Sequence, residues 1–197
     1  YANVFVTHFP DEERAEARPL RTAPCYDRLR ALGAVFGQKF GWERANWFAP
    51  EGVLQEDHWS FRRSNYFAHI GNEVRNVTEN AGLLDMSAFA KARISGPGAE
   101  AFLDHLVANK LPKKLGRVAL CHALTERGGV HSEFTIQRES ATSFYLVSAG
   151  AGQRLDHDWI KKHIPTDGSV RLDNLTNSIG VLVLAGPKSR DILDKIT

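Results

Sequence analysis

The sequence predicts an α+β fold, with mixed and antiparallel sheets flanked by helices. Three observations carry this reading. Residues 130–136 (V-H-S-E-F-T-I) alternate apolar and polar side chains, the period of a half-buried strand. Residues 66–77 place apolar side chains four, four and three positions apart, the period of a helix. A strand-turn-helix pattern also occurs twice: residues 96–106 (GPGAEAFLDHL) match residues 186–196 (GPKSRDILDKI) in Gly-Pro and in Leu-Asp at the same offset.

Composition sets the bounds. A chain of 197 residues is one domain or two small ones, and 43% hydrophobic residues are enough for a core. The net charge is +2, from 25 basic and 23 acidic residues, and no basic stripe suggests a nucleic-acid partner. Cys25 and Cys121 are far apart and lack metal-ligand spacing, so no metal site is expected and a reducing compartment is. No apolar run approaches the ~20 residues of a membrane span, so no membrane partner is expected. The start, Tyr1-Ala2-Asn3-Val4, carries neither an initiator Met nor a signal-peptide pattern. A cytoplasmic location follows as the expectation, or the mitochondrial matrix in a eukaryote.

Taken in order, residues 1–22 are mixed and charged and read as a linker or the tail of a preceding domain. Thr22 is placed to cap a short helix that carries Pro24 in its first turn and ends at Gly33. Residues 34–40 read as a strand. Residues 41–48 are aromatic-rich and read as a packed surface loop. Residues 65–80 read as a helix whose stripe of Tyr66, Ile70, Val74 and Val77 faces the core, with Gly82 placed to end it. A strand at 89–95 and a helix at 99–108 follow. Residues 118–124 and 130–136 read as strands joined by a reversal at Gly128-Gly129, where paired glycines supply the positive φ. A third strand spans 143–148. The next helix puts Leu155, Trp159 and Ile160 on one face. Apolar runs at 170–172 and 179–185 and a helix from Lys188 complete the chain. The second copy of the repeat stops after its helix, whereas the first continues into strands, so the chain is expected to end inside a truncated domain.

Four stretches in this order resemble the glycine-cleavage T-protein family of aminomethyltransferases: Leu32-Gly33-Ala34-Val35-Phe36 leading to Gly41-Trp42; Ala81-Gly82-Leu83-Leu84-Asp85-Met86-Ser87; Gly128-Gly129-Val130-His131-Ser132-Glu133; and Leu184-Ala185-Gly186-Pro187 after Trp159-Ile160. Gly41-Trp42-Glu43-Arg44 with Trp47-Phe48, and Asp85-Met86-Ser87-Ala88-Phe89-Ala90-Lys91, look like the branch attached to flavin-dependent dimethylglycine and sarcosine dehydrogenases. The resemblance implies a T-protein-like fold over residues 23–197, the N-terminal part of a folate-binding domain. It also implies tetrahydrofolate as cofactor, and FAD only in a preceding domain of the same parent chain. The partners implied are that flavin domain, folate, and an iminium derived from a small N-methyl amine. The activity implied is capture of the iminium CH₂ as methylene-tetrahydrofolate.

Such chemistry needs a carboxylate to handle the folate amine protons. Glu133 matches the second of two acidic positions that follow the Gly-Gly turn in the family, and Ser132 stands at the first. Read alone, Glu133 is a solvent-facing strand residue; with the resemblance it is the catalytic candidate, expected to face a cavity. Asp85 is a second candidate and reads equally as a turn residue; Met86 and Ser87 would line the pocket beside it. Alternation places His131 on the face of Glu133 and makes it a candidate proton shuttle. Leu120 stands where the family commonly has a pterin-contacting Tyr, and Ala149 where an Asn often follows the third strand. These departures keep two alternatives open: a stand-alone aminomethyltransferase or folate-dependent demethylase, and a non-catalytic docking module on a folate-type fold. The basic cluster Lys110, Lys113 and Lys114 reads as a solvated loop.

Overall fold

The computed structural model describes residues 2–197 and, among these, nine strands and five α-helices. In chain order they are α1 (Tyr26–Ala31), β1 (Ala34–Lys39), β2 (Trp42–Phe48), α2 (Phe67–Glu79), β3 (Gly82–Asp85), β4 (Ala90–Ser95), α3 (Ala99–Leu106), β5 (Val118–Leu124), β6 (Val130–Arg138), β7 (Ser143–Ser148), α4 (Gln153–His163), β8 (Arg171–Asn174), β9 (Leu182–Ala185) and α5 (Ser189–Leu193). They fall into two units. One is the chain up to Met86 together with Val181–Thr197, and the other is Ser87–Gly180. The expected mix of helices and antiparallel sheets is what forms.

The second unit is built on one antiparallel sheet in the order β5-β6-β7-β4-β8. One face is apolar, with Ile94, Cys121, Phe134, Ile136, Phe144 and Leu146 each at most 2% exposed. Phe102 and Leu103 of α3 and Ile160 of α4 pack onto that face. Arg138 is buried at its edge, donating to Pro112 O at 2.6 Å and pairing with Glu100. In α4 the inward positions are Asp156 and Ile160, four apart, while Leu155 is 57% exposed. The expected Leu155 face is therefore turned by one position.

In the first unit β1 and β2 form a hairpin. The aromatic run 41–48 is thus a strand rather than a surface loop. Trp42 and Trp47 bury their rings, and that burial holds the strand in place. Trp47 donates from Nε1 to Asp57 Oδ1 at 2.7 Å. Arg18 closes over this hairpin, bonding Glu43 and Phe36 O. Cys25, not Thr22, occupies the N-cap of α1, and no side chain caps it. Helix α2 meets the small cluster of Val35, Trp47 and Ala49 through its N-cap Tyr66, through Ile70 and through His69, whose ring stacks on Trp47 at 5.4 Å between centroids. Val74 and Val77, expected in the core, are exposed because that cluster lies under the start of the helix alone. Asn80, not Gly82, is the C-cap. Gly82 opens β3, where a Cβ would strike Val77 Cγ2 at 2.5 Å.

Both copies of the repeat are strand-turn-helix. After β4, Gly96 (φ 119°) leads into α3; after β9, Gly186 (φ 107°) leads into α5. The surroundings match as well. Strand β4 pairs with β8, and Gly98 N–H donates to Ser169 O, two residues before β8. Strand β9 pairs with β3, and Lys188 N–H donates to Asn80 O, two residues before β3.

Candidate functional site

The second face of the five-stranded sheet is the candidate site, and strand register composes it. Facing residues of antiparallel strands point the same way. One row across the sheet is therefore Leu120, Thr135, Val147 and Lys91. The row beside it is His122 and Glu133. These positions alternate with the buried Cys121, Phe134, Leu146 and Ala90, so they lie on the face opposite α3 and α4. Leu120 is 53% exposed and Thr135 exposed, Val147 is half-buried, and Lys91 is buried with Nζ donating to Ser87 O at 2.6 Å. The surface thus grades from open at β5 to closed at β4.

Glu133, expected from sequence to face a cavity, lies on an open face instead. Its side chain is 60% exposed, with Oε2 3.0 Å from His122 Nε2. His122 is fixed from behind. Asn109, in the loop after α3, places Oδ1 2.8 Å from the His122 backbone N–H and 3.3 Å from Nδ1. Ala108 N–H in turn donates to His122 O. The result is a line Asn109–His122–Glu133 ending in a solvent-accessible carboxylate.

His131 is not part of it. The register slips by one between Ala123 and Leu124, because β6 carries an extra residue there. A bulge breaks alternation, turning neighbouring side chains out of step. His131 therefore stacks on Trp159 of α4, ring centroids 3.8 Å apart, and its Nδ1 lies 2.8 Å from Ser132 Oγ. It sits on the helix-covered side, away from Glu133. Ser132 is 5% exposed on that same side. A carboxylate there would be desolvated, whereas a hydroxyl is not costly once bonded.

The remaining candidates stand as follows. Asp85 closes β3 opposite Leu182 and is half-buried, and Met86 N–H donates to Val181 O at 2.8 Å. Both belong to the first unit. Ser87, 3% exposed, opens the second. His105 is exposed, while His157 and His163 are half-buried, His163 with Nδ1 2.7 Å from Trp159 O. Lys110, Lys113 and Lys114 are exposed around the buried Leu111 and Pro112. No grouping of His, Cys, Asp and Glu among the described residues could hold a metal ion, and Cys25 and Cys121 are both free.

Sequence reasoning missed His122 and Asn109 as partners of Glu133. The signal was faint: an unbulged hairpin closing at Leu124 and Val130 would have set His122 opposite Ser132. The burial of Lys91 leaves no signal in the sequence beyond its place in the 85–91 stretch.

A second concavity in this unit lies on the helix side, lined by Phe134, Asp156, Ile160 and Thr176 among others. Its space is about 20 Å³, room for one water molecule and far below the ~300 Å³ of a ligand pocket. An aromatic ring system has room on the open sheet face and not there.

Comparison with known proteins places the chain in a family. The family model described as the GCVT N-terminal domain matches residues 25–197. Mitochondrial dimethylglycine dehydrogenase of Mus musculus is 36% identical over 194 residues, 98% of this chain and 22% of that protein. The mitochondrial pyruvate dehydrogenase phosphatase regulatory subunit of Mus musculus is 32% identical over 185 residues, 91% of this chain and 21% of that protein. The crystal structure of glycine cleavage system aminomethyltransferase T from Bartonella henselae superposes with a TM-score of 0.69 at 22% identity. It covers 89% of this chain and 43% of that one. The chain thus spans about a fifth of the length of the two mouse relatives.

Proposed function

The chain belongs to the GCVT N-terminal domain family, and from that premise we propose that it is part of a tetrahydrofolate-dependent one-carbon-transfer domain of an N-methyl-amine dehydrogenase. It is an aminomethyltransferase-type domain related to dimethylglycine dehydrogenase. In the proposal a flavin domain elsewhere in the parent polypeptide, holding FAD, oxidises the amine to an iminium. This domain captures its CH₂. The compartment that fits two free cysteines is a reducing one, the cytoplasm or the mitochondrial matrix.

The single observation that carries the reading is an accessible carboxylate, Glu133, held on an open sheet face beside the exposed Leu120. That donor set fits a pterin: Leu120 and Val147 offer an apolar surface to a flat ring, and Glu133 an acceptor to its N–H groups. Tetrahydrofolate bound here would supply two nucleophilic N–H groups for the CH₂, and the overall exchange would release the demethylated amine and one proton. Glu133 accepts a folate nitrogen proton at its carboxylate oxygen. Its negative charge favours the cationic iminium approaching the sheet. Leu120 and Thr135 orient the ring by contact. Ser87, in the same unit as Glu133, keeps the folate-contacting role the family pattern implies.

The test is Glu133→Gln in the full-length enzyme. Amine oxidation should continue at the wild-type rate. One-carbon capture should fall ~10²–10⁴-fold, the usual cost of a positioned proton acceptor, and formaldehyde should accumulate with tetrahydrofolate present. A wild-type ratio of methylene-tetrahydrofolate to formaldehyde would refute the role of Glu133. A docking module is the second reading. The relative named as a regulatory subunit and the substitutions at Leu120, Ser132 and Ala149 favour it, and absence of folate binding would select it.

A further inference from the structure

Glu133 has a partner that the family pattern does not assign. His122 faces it across the β5-β6 pair, Nε2 to Oε2 at 3.0 Å. Its other ring nitrogen lies 3.3 Å from Asn109 Oδ1. That oxygen is identified as an acceptor because it already receives the His122 backbone N–H at 2.8 Å. Both ring nitrogens therefore face oxygen acceptors. A neutral imidazole carries one N–H and satisfies one of them; the doubly protonated ring satisfies both. Alternatively the ring donates from Nδ1 to Asn109 while Glu133, protonated, donates to Nε2. The two arrangements differ by moving a single proton over one hydrogen bond.

We propose that His122 is the positioning and proton-sharing partner of Glu133, with Asn109 as the anchor that fixes its ring. The inference rests on the assignment of Glu133 above. Capture of an iminium CH₂ by two N–H groups loses two nitrogen protons. One leaves on the departing amine, and the other is surplus. The Glu133 carboxylate takes the surplus proton and shares it with His122 Nε2, and the pair then releases it to solvent on the exposed side. No oxidant or reductant enters this step. The anchoring also matters before chemistry. A 60%-exposed Glu side chain is free to sample rotamers, and a fixed imidazole on the neighbouring strand selects the one that points along the sheet face.

The experiment compares His122→Leu, His122→Gln and Glu133→Gln in the full-length enzyme. It scores the fraction of oxidised amine carbon captured by tetrahydrofolate and, separately, the dissociation constant for tetrahydrofolate by tryptophan fluorescence. His122→Leu should lower capture at least about tenfold at saturating folate while changing the dissociation constant less than about threefold. His122→Gln, which keeps an N–H opposite Glu133, should recover part of the loss. The His122→Leu and Glu133→Gln double variant should be no worse than Glu133→Gln alone, as coupled residues require. If His122→Leu does not fold by thermal unfolding, Asn109→Ala carries the test, with a smaller loss expected from a ring free to rotate. Wild-type capture in His122→Leu, or a loss of binding as large as the loss of capture, would overturn the assignment. Wild-type capture in Glu133→Gln would instead overturn the reading on which it rests.

Discussion

At the residue scale, ion pairs tie the ends of the sheet and set its acid response. Arg93 donates from Nε and Nη2 to the two carboxylate oxygens of Glu139, at 2.6 and 2.7 Å, and Ser143 Oγ donates at 2.8 Å. The Arg93 hydrogen bonds hold the Glu139 carboxyl below its usual range. A group depressed on folding contributes stability above its unfolded value and loses it as the pH falls through the folded one. Glu139→Gln should therefore cost ~0.5–1 kcal/mol near pH 7, the scale of a partly exposed pair, and nothing near pH 2. Urea midpoints at the two pH values check this, and an equal gap at both would contradict it. The site was only partly legible at this scale. The Gly128-Gly129 turn and the alternation through Phe134 and Ile136 placed Glu133 on the face away from the core, which is where it lies. The bulge at His131 was not legible, because an inserted residue leaves no mark in composition. It exchanged the expected neighbour of Glu133, His131, for His122.

At the element scale, the duplicated strand-turn-helix explains its own glycines. Gly96 and Gly186 adopt positive φ, and a Cβ would meet Ser169 O at 2.3 Å and Val77 O at 2.6 Å. The left-handed region alone costs an L residue ~1–2 kcal/mol, and Ser169 O is held by the Gly98 N–H while Val77 lies in the last turn of α2. The two sites differ in what they support. Gly96 leads into α3, whose Phe102 and Leu103 are in the core, whereas α5 buries no residue. Gly96→Ala should therefore lower global stability by at least about 2 kcal/mol. Gly186→Ala should chiefly speed amide exchange in β9. A thermal midpoint unchanged by Gly96→Ala would refute the shared-turn account. The repeat was readable because Gly-Pro and Leu-Asp are punctuation with a mechanism. The second hairpin strand was not, since Trp42 and Trp47 fill a strand with rings whose burial depends on what covers them.

At the scale of the whole molecule, the two sheet faces divide the labour. One packs α3 and α4 over Phe134 and Ile136, and the other leaves Leu120, His122, Glu133 and Thr135 accessible. Period and glycine placement, which are local signals, supplied the fold class, and the resemblance carried by four stretches in order supplied the family. Neither could supply which polar strand residues meet across the sheet, because that depends on register. The most direct measurement of the central claim is a tetrahydrofolate titration of the isotope-labelled chain, followed by backbone and side-chain NMR. Binding with shifts concentrated at Leu120, His122, Glu133, Thr135 and Val147 is the predicted result. No binding, or shifts confined to the helix-covered side around Asp156 and Ile160, would contradict it.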